Sequence, residues 1–150
     1  RTSVMLTKVL AREFWKINPT YLSSEAGYEN SISGATAGVV IGDRALRLKD
    51  KFKYCYDLSG EWKKLTGLPF VFATWTAIVQ PDKKFIDTFN ASIAEGMKLI
   101  PEIAKKECNE TITESEITTY LTRSIDFVFD EKKKEALQLF LKFAKKLTSN

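Results

Sequence analysis

With 150 residues, 44% hydrophobic and 12% aromatic, the chain can bury one ordinary core, and it shows neither the compositional bias of disorder nor the repetition of a solenoid. No apolar run approaches the roughly 18 residues that a membrane-crossing helix needs, and no basic start followed by an apolar segment marks a secretory signal. The net charge of +4 resides at the end of the chain, where six lysines in residues 131–150 face only Glu131 and Glu135; this reads as a solvated lysine face and not as a nucleic-acid or membrane contact.

The chain opens with Arg1-Thr2-Ser3, after which Leu6, Val9, Leu10 and Phe14 recur at helical spacing. Thr2 or Ser3 is placed to cap that helix, and a helix start that offers hydroxyls and unpaired N–H groups is equally a carboxylate site. Asn18-Pro19 ends the helix, Pro19 to Leu22 reads as a short strand, and the Ser-, Gly- and Asn-rich run Ser23 to Ala35 reads as a loop with one helical turn around Tyr28 to Ser31.

Three apolar runs follow: Ala37 to Ile41, Phe52 to Leu58 and Leu68 to Ile78. Their β-branched and aromatic content predicts buried strands, and with the short helices between them they predict an α/β layer with a mixed or parallel sheet. Ligands of such layers sit beyond the carboxyl ends of strands, which singles out Ile41, Gly42 and Asp43. Asp43 is also a candidate cap for Arg44 to Leu48, and Arg44 and Arg47 have the planar fork that suits a carboxylate. Ser59 to Leu65 reads as a helix capped by Ser59 and stopped by Gly67.

From Pro81 onward the pattern is helical. Phe85, Phe89, Ile93, Met97 and Ile100 form one stripe up to Pro101, Thr113-Glu114-Ser115-Glu116 is a capping-box pattern, and Leu137, Phe140, Leu141 and Ala144 form the inward face of the last helix. Histidine is absent, and Cys55 and Cys108 stand far apart without CxxC spacing. Metal-ligand patterns and histidine-based triads are therefore missing from this chain, which leaves hydroxyls, carboxylates, lysines, backbone amides or the substrate itself for any chemistry.

The words R-T-S-V (from Arg1), V-V-I-G-D-R-A-L (from Val39), Y-D-L-x-x-E-W-x-x-x-T-G-L-P-F-V-F-A-x-W (Tyr56 to Trp75) and Y-L-T-R-x-I (from Tyr120) resemble the chorismate dehydratases of the futalosine route to menaquinone. The resemblance implies a fold like that of the type II periplasmic binding proteins. One α/β lobe would occupy residues 1–75, and residues 76–150 would supply the crossover and the C-terminal helices of the other lobe. Members of that family are about twice as long, so the chain is expected to be a C-terminal portion, with the family's catalytic residues in the other half and none here.

By the same resemblance the reaction is loss of water from chorismate to give 3-[(1-carboxyvinyl)oxy]benzoate, in the cytoplasm, with no metal or redox cofactor. Substrate contacts are expected at Thr2, Ser3, Ile41, Gly42 and Asp43. The expected partner is a small dicarboxylate; the oligomeric state stays open. Two alternatives are carried: the sister naphthoate synthase of the same pathway, whose counterpart of the Thr66 to Trp75 word differs, and a non-catalytic binding module for a small carboxylate.

Overall fold

In a computed structural model, which describes residues 1–48 and 51–149, the chain is helical. Helix α1 covers Thr2–Glu13, and a 3₁₀ turn follows at Tyr28–Ser31. Helices α2 (Asp43–Leu48), α3 (Leu58–Thr66), α4 (Lys83–Lys98), α5 (Ile100–Glu107) and α6 (Glu114–Thr119) come next. A π turn at Tyr120–Ser124 continues α6, and α7 (Glu131–Thr148) closes the chain.

The predicted α/β layer, and with it the periplasmic-binding-protein-like sheet, is not found: no strand occurs among the described residues. Ala37 to Ile41 and Leu68 to Ile78 have no regular secondary structure, as is true of Pro19 to Leu22, and Leu58 belongs to α3. The reason is physical. Strand propensity reports a side chain's fit to a pleated, half-buried surface, whereas a strand exists only where a second extended segment lies within about 4.9 Å to take its hydrogen bonds. Among the described residues none of these runs forms a ladder with another segment, and past the buried Val71 the third run is open to solvent, with Phe72 45% and Trp75 82% exposed.

The chain divides into two compact units, Arg1–Thr74 with Glu131–Asn150, and Trp75–Asp130. In the first unit, α1 packs on α3 and α7. Leu6, Val9, Leu10 and Trp62 are fully buried, joined by Phe140 and ringed by Phe14, Leu65, Phe70 and Phe143. Trp62 is the hub of this core. Its ring meets those of Phe70, Phe140 and Phe143 edge-on at 5.4, 6.1 and 6.2 Å, and its indole N–H donates to the Pro69 carbonyl at 3.1 Å. Edge-on rings at this distance place positive rim against negative face, and burying an indole requires a partner for its N–H; both conditions are met.

Local signals set the ends of the helices. Asp57, not Ser59, caps α3: its carboxylate accepts from the Ser59 and Gly60 N–H groups, and the Ser59 hydroxyl donates to the same carboxylate. Gly67 ends α3 at φ 75°, a left-handed conformation that a Cβ disfavours. On α7 the buried positions are Lys133, Ala136 and Phe140, while Leu141 is 55% exposed, so the inward face is rotated from the one expected.

In the second unit, Asp82 caps α4 through the Phe85 N–H at 2.7 Å. Leu99 separates α4 from α5, and Pro101 sits in the first turn of α5, where its missing N–H is no loss. The capping box forms as spaced: the Thr113 hydroxyl accepts from the Glu116 N–H, and the Glu116 carboxylate accepts from the Thr113 N–H. Ile100 and Ala104 are the buried residues of α5, which packs on α4 and α6.

Candidate functional site

The start of α1 carries the first pair of candidate residues. Arg1 occupies the cap position without a side-chain bond, and its carbonyl accepts from the Met5 N–H at 3.1 Å. Thr2 and Ser3 therefore lie inside the first turn and do not cap it. Both are half-buried, and among the described residues neither hydroxyl makes a hydrogen bond; the Ser3 carbonyl accepts from the Thr7 hydroxyl at 2.9 Å. No acidic residue occupies this turn. Two unengaged hydroxyls beside the unpaired N–H groups of a helix start can together receive a carboxylate, with the helix dipole favouring negative charge.

The second group is the corner that leads into α2. Gly42 turns the chain at φ 67°, and its carbonyl accepts from the Ala45 N–H at 2.9 Å. Ile41 and Gly42 are exposed; the Asp43 side chain lies outside the described part of the molecule. Arg44, considered above as a carboxylate clamp, is already engaged: its guanidinium lies 2.8 Å from the Glu29 carboxylate. Arg47 is exposed near the end of α2. Packing as extensive as that of α1 on α3 and α7 does not join α1 to α2.

Two open clefts lie elsewhere. One, of about 350 Å³, is lined by Arg12, Lys142, Lys145, Lys146 and Ser149. The other, of about 380 Å³, is formed by Leu22 to Thr36. Neither includes Thr2, Ser3, Ile41 or Gly42. Among the described residues no group of three His, Cys, Asp or Glu side chains could hold a metal ion, and no helix is long and apolar enough to cross a membrane.

One buried carboxylate has no counterpart in the sequence reading. Glu61 of α3 is 6% exposed, accepts from the Trp15 indole N–H at 2.9 Å, and pairs with Lys64 at 2.7 Å. The hydrogen bond from Lys64, then that from Trp15, hold its carboxyl below the ordinary range against the opposing effect of burial. Both oxygens are satisfied, so Glu61 ties the end of α1 to α3 and is not poised as a base. The Glu61/Lys64 spacing was visible in the sequence; the partner on Trp15 was not, because nothing local points to it.

Comparison with known proteins places the chain. It is 33% identical over 114 residues to a chorismate dehydratase of Campylobacter jejuni, covering 73% of this chain and 49% of that protein. It is 31% identical over 125 residues to a chorismate dehydratase of Thermus thermophilus, covering 71% and 45%. The chain thus spans about half the length of the curated relatives it matches. No solved structure matches it significantly. The profile of the family described as menaquinone biosynthesis matches residues 1–146, nearly the whole chain, and the chain belongs to that family.

Proposed function

We propose that the protein carrying this chain is a carbon–oxygen lyase of menaquinone biosynthesis that dehydrates chorismate to 3-[(1-carboxyvinyl)oxy]benzoate. The observation that carries the reading is the similarity, over more than two thirds of the chain, to chorismate dehydratases of two distant bacteria. The reaction breaks a ring C–H bond and the ring C–OH bond. The C–H electrons enter the ring, the hydroxyl leaves, and the proton joins it as water, with aromatisation as the driving force. No electron is gained or lost.

Such a site has to hold two carboxylates, exclude water and present a proton acceptor to one ring carbon. In this reading Thr2 and Ser3 bind and orient one carboxylate, and Ile41 and Gly42 border the substrate. With no histidine in the chain, none of these residues is assigned the proton transfer. A cytoplasmic location and a small-molecule partner go with the same reading.

The test is to supply the protein that carries residues 1–150 with chorismate and identify the product by mass spectrometry. Formation of the dehydrated aromatic product is the expected result. Intact chorismate after prolonged incubation with folded protein would overturn the proposal.

A further inference from the structure

The 3₁₀ turn Tyr28–Ser31 and the corner Val39 to Arg44 are joined by three separate contacts. The Tyr28 hydroxyl donates to the Val39 carbonyl, two residues before Ile41. The Glu29 carboxylate, 11% exposed, pairs with the Arg44 guanidinium at 2.8 Å, two residues after Gly42. Arg44 also lies over the Tyr28 ring, 5.9 Å from its centre. The corner is therefore held on both sides of Ile41 and Gly42 by adjacent residues of one short turn.

Gly38 makes this approach possible. A Cβ there would meet the Ile32 Cδ1 at 2.6 Å and the Tyr28 ring at 3.0 Å, so both side chains would have to shift to admit it. The contacts have little other purpose. Arg44 is largely exposed and the turn contains no buried residue, so neither belongs to the core around Trp62. A neutral hydrogen bond and a single ion pair whose Arg44 half is exposed contribute little to global stability. They can nevertheless decide the conformation of a segment that has no regular secondary structure of its own and turns at a positive-φ glycine.

We propose that the Tyr28–Ser31 turn is a clamp that fixes the Ile41–Gly42 corner in its ligand-binding form, making Tyr28 and Glu29 positioning residues. The inference rests on the proposed function, in which that corner borders the substrate.

The test compares Tyr28→Phe, Glu29→Gln and Gly38→Ala with the parent protein by limited thermolysin digestion and by chorismate kinetics. Expected are faster cleavage within residues 38–42 and a KM raised about two- to tenfold, the worth of one neutral hydrogen bond, with kcat and melting temperature nearly unchanged. Gly38→Ala, which crowds Ile32 and Tyr28 without removing a polar group, should act in the same direction as Tyr28→Phe. Unchanged cleavage within residues 38–42 would overturn the clamp whatever the ligand. Faster cleavage with unchanged KM in an active enzyme would overturn its positioning role while leaving the proposed function standing. A parent protein that neither binds nor converts chorismate would remove that function and the clamp's purpose with it.

Discussion

Replacing Thr2 and Ser3 by alanine separates a ligand-binding role from a folding role, because the structure predicts opposite signs for the two. The cap of α1 is Arg1, and neither hydroxyl makes a hydrogen bond among the described residues, so their removal takes no hydrogen bond from the fold. Alanine is the better helix former by about 0.5 kcal/mol per position, and for a chain of this size the melting temperature should hold steady or rise by a few degrees. A carboxylate bound at these hydroxyls would lose hydrogen bonds to a charged group. Each is worth about 1.5–3 kcal/mol, or about ten- to a hundredfold in affinity. The assay pairs thermal melting with the KM for chorismate on Thr2→Ala, Ser3→Ala and the double variant. A lowered melting temperature with KM and kcat unchanged would show instead that the hydroxyls serve only the helix.

Three further perturbations address the scaffold. Trp62→Ala should destabilise by about 3–5 kcal/mol, lowering the melting temperature by roughly 10 °C, and Trp62→Phe by clearly less; equal effects would show that Trp62 is not the hub of the core. Gly67→Ala meets no atom within 4 Å, so its penalty is that of the left-handed backbone alone, about 1 kcal/mol; a neutral result in thermal melting would contradict the end assigned to α3. Glu61 titrates below its ordinary value of 4.5 in the folded chain, so its ionised form stabilises the fold at neutral pH, and that contribution is lost as pH falls through the lower, folded value. Glu61→Gln should therefore weaken the acid dependence of stability, and parallel melting-versus-pH curves for variant and parent would count against the Trp15–Glu61–Lys64 link.

The parts of the fold legible in the sequence were those decided by neighbours in the chain. The buried face of α1, the stop at Gly67, the break before Pro101 and the Thr113–Glu116 capping box each depend on residues no more than a few positions apart. The strands were misread because a ladder needs a distant partner, which Ala37 to Ile41 and Leu68 to Ile78 do not reveal and, among the described residues, do not find. Ser59 and Asp57 are both good caps two residues apart, and propensity alone cannot choose between them. The same limit governs the candidate site: the helix start at Thr2 and Ser3 was visible, whereas the engagement of Arg44 by Glu29 and the hold of Tyr28 on Val39 join residues that only the folded chain brings together.

The proposed role of these residues in chorismate dehydration can be tested by fusing residues 1–150 to the part of the Campylobacter jejuni chorismate dehydratase that the similarity leaves uncovered, and asking whether the fusion restores menaquinone synthesis in a bacterium lacking its own chorismate dehydratase. Restored growth that Ala substitution of Thr2 and Ser3 weakens is the expected result. A folded, expressed fusion that accumulates unreacted chorismate, beside a working intact enzyme, would contradict it.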